Sequence, residues 1–243
     1  MLASKSALST PIMIYYWNKN YFEELKAIGE TLLLEDGLEL FGSYCLSKER
    51  GLKKFANSEA SKFITNVEKR PVPEQRQIVV FLCKLNYDHP EVHSLLNYPI
   101  QEFIRRVLAV WIEHEPNAIE AYRWYVQYCA YDLREKSLKQ ALALAPNDKV
   151  IVEYYLNGLN HDLEFMVHHL NQNVLLGDRL RADVLLAEFR RYLNNLNPSE
   201  AKTYLQSEYD HYKELFKLWD IYKAGDYADN FPDWAKKKHK FIW

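Results

Sequence analysis

Residues 99–131 read PIQEFIRRVLAVWIEHEPNAIEAYRWYVQYCAY, and this stretch decides the fold class. Ile100, Phe103, Ile104, Val107, Leu108, Trp111 and Ile112 recur at three- and four-residue spacing, which puts them on one face of an α-helix. Pro99 suits a first helical turn and Pro116 cannot continue a helix, so the two prolines bracket the segment. Beyond Pro116, residues 118–131 carry apolar or aromatic side chains on nearly every face, so this second helix needs cover from several sides.

The same spacing extends in both directions. Toward the N-terminus, Phe22, Leu25, Ile28, Leu32 and Leu33 predict a helix over 21–35 with a stop at Gly37, and two or three shorter helices follow between Leu38 and Glu68. Pro71 and Pro73 punctuate the chain before a helix whose apolar face is Ile78, Val79, Leu82, Cys83 and Leu85. Toward the C-terminus, helices are expected over 133–145, 148–157, 161–171, 178–196 and 199–223. No segment alternates apolar and polar residues as a half-buried strand does. The expectation is an all-α protein, an irregular array of helical hairpins with about ten helices.

Composition agrees. The chain of 243 residues holds only 7 glycines, so it lacks the punctuation that many tight turns and phosphate-cradling loops require. Hydrophobic content of 48% supports a core and argues against disorder, and 18 tyrosines suit half-buried positions with polar tips. Residues 1–11 read as a loose arm, and residues 12–243 as a single all-α domain ending in a basic, aromatic tail. Cys45, Cys83 and Cys129 fit neither a disulfide framework nor a zinc knuckle and read as reduced core thiols. The N-terminus matches a signal peptide poorly and no apolar run reaches the ~20 residues of a membrane span, so a cytoplasmic location is expected. With 31 basic and 33 acidic residues, the net charge of −2 gives no support to a nucleic-acid partner bound through a strongly cationic surface.

A weak internal echo is present. Glu115, Pro116 and Asn117 precede one helix; thirty residues later Ala145, Pro146 and Asn147 precede another, and Asn197, Pro198 and Ser199 form a third such break. The segment PNAIEAYRWYVQYCAYDLREKSLKQALALAPND resembles a tetratricopeptide unit through Ala141, Leu142, Leu144, Pro146 and Asn147, with the prolines 30 residues apart against ~34 in that family. The resemblance covers about residues 116–147. It implies a tetratricopeptide-like or α-solenoid-like scaffold that binds another protein.

Candidate chemistry is sparse. Gly37 and Gly42 have P-loop spacing, but Ser43 stands where the lysine belongs and no strand precedes them, so helix capping and a turn are expected. His89 and His93, with Asp88 or Glu91 nearby, have the spacing of two metal ligands, but Pro90 puts His89 at a helix cap and surface or capping roles are expected. His161, Asp162, Glu164, His168 and His169 suggest an acid/base pair; the alternative is a helix opened by Asp162 and closed by histidines that complement its dipole. No catalytic residue, metal or cofactor is assigned.

Partner binding is assigned instead to Trp124, Tyr128 and Tyr131, one of two aromatic stripes, and to the arginine pairs Arg105 with Arg106 and Arg190 with Arg191. At least one aromatic stripe must be core. The leading expectation is a protein-interaction module. The alternatives are a toxin-neutralising or inhibitory partner protein and, from another class, a helical enzyme with a histidine and carboxylate site. The tail AKKKHKFIW is expected to dock through Trp234 and the terminal Phe241, Ile242 and Trp243, or else to serve as a free recognition peptide.

Overall fold

A computed structural model describes residues 19–92 and 95–240. Among the described residues, eleven α-helices and one short 3-10 turn account for the regular structure, and there is no strand. The expected arm at 1–11, His93 and the terminal Phe241, Ile242 and Trp243 lie outside the described residues. No described helix is long and apolar enough to cross a membrane. The chain divides into two compact units, one up to Tyr128 and one from Cys129. The break falls within residues 116–147, between the two helices of that stretch.

The first unit holds α1 (Lys19–Leu32), α2 (Glu39–Glu49), α3 (Lys53–Glu68), α4 (Val72–Asp88), α5 (Tyr98–His114) and α6 (Ile119–Tyr128). Helix α2 is packed between α1 and α3. Phe41 and Tyr44 on α2 and Phe63 on α3 are fully buried, and the Phe41 ring centre lies 5.4 Å from each of the other two. The α1 to α2 crossing is unusually close. A Cβ at Gly42 would stand 2.7 Å from the Leu33 amide nitrogen and 2.8 Å from the Gly29 carbonyl oxygen, so backbone meets backbone there. Gly37, in the turn between the two helices, has φ +81°, the left-handed region that favours glycine. Gly37 thus serves the expected turn, whereas Gly42 is not a cap but an interior residue of α2 that lets the two helices cross closely.

The second unit holds α7 (Tyr131–Leu144), α8 (Lys149–Val167), the 3-10 turn, α9 (Arg179–Leu193), α10 (Glu200–Ala224) and α11 (Phe231–His239). Helices α8, α9 and α10 pack on one another around Leu156, Leu163, Phe189, Leu215 and Phe216, all fully buried. One expectation is corrected: the two helices placed at 148–157 and 161–171 are a single helix of 19 residues. Gly158 does not break it, because the buried series Leu156, Leu159, Leu163 carries straight through and a side chain at 158 would face open space. The glycine costs about 1 kcal/mol relative to alanine, less than the continuing apolar face contributes. Asp162 consequently sits within a helix instead of opening one.

The tail contributes a further helix. Asn230 caps α11 by accepting the Asp233 N–H at 3.0 Å, and Asn173 accepts the Phe231 N–H at 2.8 Å. Phe231 and Trp234 are buried among Trp219, Tyr222 and Tyr227, so the expected docking holds for Trp234.

Two of the three proline breaks are turns of one kind; the third, Asn197–Pro198–Ser199, closes no such backbone bond and instead supplies Ser199 as the cap of α10, while a further turn of that kind escaped the sequence. Glu115 to Ala118 and Ala145 to Asp148 are turns closed by an N–H to C=O bond of 2.9 and 3.1 Å, with proline second in each. His89, Pro90, Glu91 and Val92 form the same turn, closed at 3.1 Å. In all three, the residue before proline is the C-cap of a helix and donates back to the carbonyl four residues earlier. Proline's fixed φ presets the second turn position, which explains why the motif repeats where the helices themselves differ.

Candidate partner-binding surface

Of the seven residues singled out in the sequence, four lie in the first unit and three in the second. Trp124 is 2% exposed; its indole N–H donates to Glu120 at 3.1 Å and its ring meets Tyr87 edge-on. It is core, because α6 is covered by both α4 and α5. Tyr122 and Tyr125 on the other stripe are buried as well, so both stripes are used in packing. The Tyr128 hydroxyl is buried beside the Cys83 thiol, and burial pushes its ionisation far above the ordinary phenol range. Tyr131 opens α7, and its side chain lies outside the described part.

Two of the arginines are tied down within the first unit. Arg105 binds Glu102 on its own helix through two nitrogens, and Arg106 reaches from α5 to Glu68 on α3. In the second unit Arg190 is exposed, while Arg191 lies over the ring of Tyr192 at 5.4 Å. Arg106 borders a small pocket of about 160 Å³ in the first unit, and Arg191 lines a larger concave surface in the second.

That surface is a groove of about 870 Å³ bounded by α7, α8 and α9. It exists because α7 is a polar helix anchored by few residues: Ser137, Ala141 and Leu142 are buried, and most of its other described side chains face outward. Leu142, Leu159 and Leu185 supply apolar lining. Tyr155 and Tyr192 stand edge to face, ring centres 4.9 Å apart, and the Tyr155 hydroxyl donates to Glu188. Burial, reinforced by the adjacent Glu188 carboxylate, raises the Tyr155 ionisation well above its usual range, so this hydroxyl remains a hydrogen-bond donor across the physiological range. Four cationic side chains, Arg134, Lys139, Arg181 and Arg191, face four carboxylates, Asp132, Glu135, Asp162 and Glu188. Arg181 and Asp162 approach to 3.7 Å.

The other sequence candidates are placed plainly. His161 pairs with Glu164 at 3.8 Å on the exposed side of α8, whereas His168 caps that helix and packs on His169, ring centres 5.0 Å apart. The three cysteines are free and buried, and burial raises Cys45 to about 12. Sequence reading missed Tyr155 and Tyr192, which are 37 residues apart and meet only because α8 and α9 pack side by side. The available signal was Tyr192 directly after the Arg190 and Arg191 pair. Comparison with protein-family profiles, with characterised proteins and with solved structures gives no match.

Proposed function

We propose that the protein is a protein-interaction module whose second unit receives a segment of another protein in the groove between α7, α8 and α9. The observation that carries this reading is the half-buried pair Tyr155 and Tyr192 with the Arg191 guanidinium stacked on Tyr192. Tyrosine and arginine are the residue types most often found as energetic anchors of interfaces, since each offers a broad apolar face and a directional polar end. The leucine lining gives such a segment an apolar contact, and the four cationic and four acidic side chains give it register without a strong overall sign. Balanced charge fits a mixed polypeptide better than a polyanion. The tetratricopeptide-like resemblance supports the same class of role, and a cytoplasmic location belongs to the same proposal, supported by three buried thiols.

Site-specific photo-crosslinking tests it. A benzophenone side chain placed at Tyr192 should give a discrete adduct with a partner in native lysate, a matched probe at exposed Lys213 on α10 should give none, and Arg191→Glu should abolish the adduct while leaving helicity intact. Equal labelling from both positions, or none from position 192, would contradict the assignment.

A further inference from the structure

The turn at His89 carries a second, unrelated arrangement. His89 is the C-cap of α4, its N–H bound to Leu85 O at 3.2 Å, and Pro90 and Glu91 are the central residues of the turn closed by Val92. Buried Val92 fixes one end of this turn, and Leu25, fully buried on α1, fixes the neighbouring Glu24. The result brings Glu24 Oε1 to 2.9 Å and Glu91 Oε1 to 3.3 Å from the same atom, His89 Nδ1. The three donor atoms all lie within 4.8 Å of one another.

We propose that Glu24, His89 and Glu91 form a binding site for a zinc-class divalent cation. One imidazole nitrogen carries at most one proton, so Nδ1 cannot give each carboxylate its own full hydrogen bond. A cation at the point the three atoms share would engage the nitrogen lone pair and both carboxylates together. For metal to ligand bonds of ~2.1 Å, neighbouring ligands stand about 3.0 to 3.4 Å apart in octahedral or tetrahedral coordination. The two nitrogen to oxygen distances, 2.9 and 3.3 Å, already have that size. Imidazole with two carboxylates favours Zn²⁺ over Mg²⁺ or Ca²⁺, which prefer all-oxygen surroundings. All three side chains are partly open to solvent, leaving room for water to complete the coordination. The site lies wholly within the first unit and is independent of the groove.

The test uses the full chain, stripped with a chelator and titrated with Zn²⁺ by calorimetry near neutral pH, with Co²⁺ absorption as a second readout. One equivalent should bind with micromolar or better affinity, excess Mg²⁺ should not displace it, and Glu24→Gln and His89→Gln should each weaken binding at least tenfold. His168→Ala, outside the site, should leave it unchanged. Circular dichroism and the melting temperature of the zinc-free variants establish that they fold. The absence of stoichiometric Zn²⁺ binding, or binding undiminished in both folded variants, would overturn the proposal. So would a melting temperature lowered by Glu24→Gln with no response to zinc in the parent, because the cluster would then serve only to hold α1 against the turn.

Discussion

Helix α2 in the first unit and α7 in the second are of similar length and are held in opposite ways. Helix α2 lies between two neighbours, meets α1 through bare backbone at Gly42 and buries Phe41, Tyr44 and Cys45. Its Tyr44 hydroxyl also donates to the Leu95 carbonyl at 2.8 Å, tying the helix to the segment before α5. Helix α7 packs against α8 through a thin line that includes Ala141 and Leu142 and carries its charges, among them the Lys139 to Glu135 pair at 2.6 Å, on the outside. The lesson is that a concave surface in a small helical protein needs a wall that is not itself core.

The largest effect that separates the two helices is a core deletion. Phe41→Ala should cost roughly 3–5 kcal/mol, since a fully buried ring leaves a cavity its neighbours cannot fill. Gly42→Ala should cost about 1–3 kcal/mol by forcing α1 and α2 apart. Leu142→Ala, also buried but bordering the groove, should fall at or below ~2 kcal/mol because water enters from the open side. Denaturant midpoints measure all three. A Leu142 variant as damaging as Phe41→Ala would mean that α7 is locked as firmly as α2.

A smaller effect comes from one lysine in each helix. Burial in α2 pushes Lys48 down to about 8, whereas its counterpart Lys139 in α7 is raised by its hydrogen bond to Glu135. In the unfolded chain Lys48 titrates near ~10.4, so between the folded and unfolded values the unfolded chain binds the extra proton. The penalty for a charged Lys48 is therefore full below pH 8 and is relieved as pH rises toward the unfolded value. Stability of the parent relative to Lys48→Met should climb through that window. Relative to Lys139→Met it should not climb, because Lys139 is exposed and its pair is screened. Parallel curves for both comparisons would remove the distinction.

The sequence made the helices legible because apolar spacing is a local property: the Ile100 to Ile112 stripe became α5, and Ser199 became the cap of α10, accepting the Lys202 N–H at 3.1 Å. It failed where a signal was locally ambiguous. Residues 148–171 read as two helices, yet Gly158 between them faces open space and is tolerated where leucines on either side continue the same face. The run from Ala235 onward read as a tail docked through Trp234, whereas a helix opening at Phe231 continues through the lysines to His239. The candidate surface was less legible still. Aromatic crowding drew the assignment to Trp124, and crowding is what core helices show, whereas the groove needs Tyr155 and Tyr192 from different helices and a neighbour too polar to cover them. Glu24 and His89 likewise meet only through the packed first unit.

The contrast between the two helices is tested most directly by native-state hydrogen exchange, resolved by peptide, on the free protein. Amides of residues 41–46 in α2 should exchange only with global unfolding of their unit, while those of residues 135–141 in α7 should exchange orders of magnitude faster through local opening. Protection of α7 equal to that of α2 would contradict the account, because the wall of the groove would then be as fixed as the core.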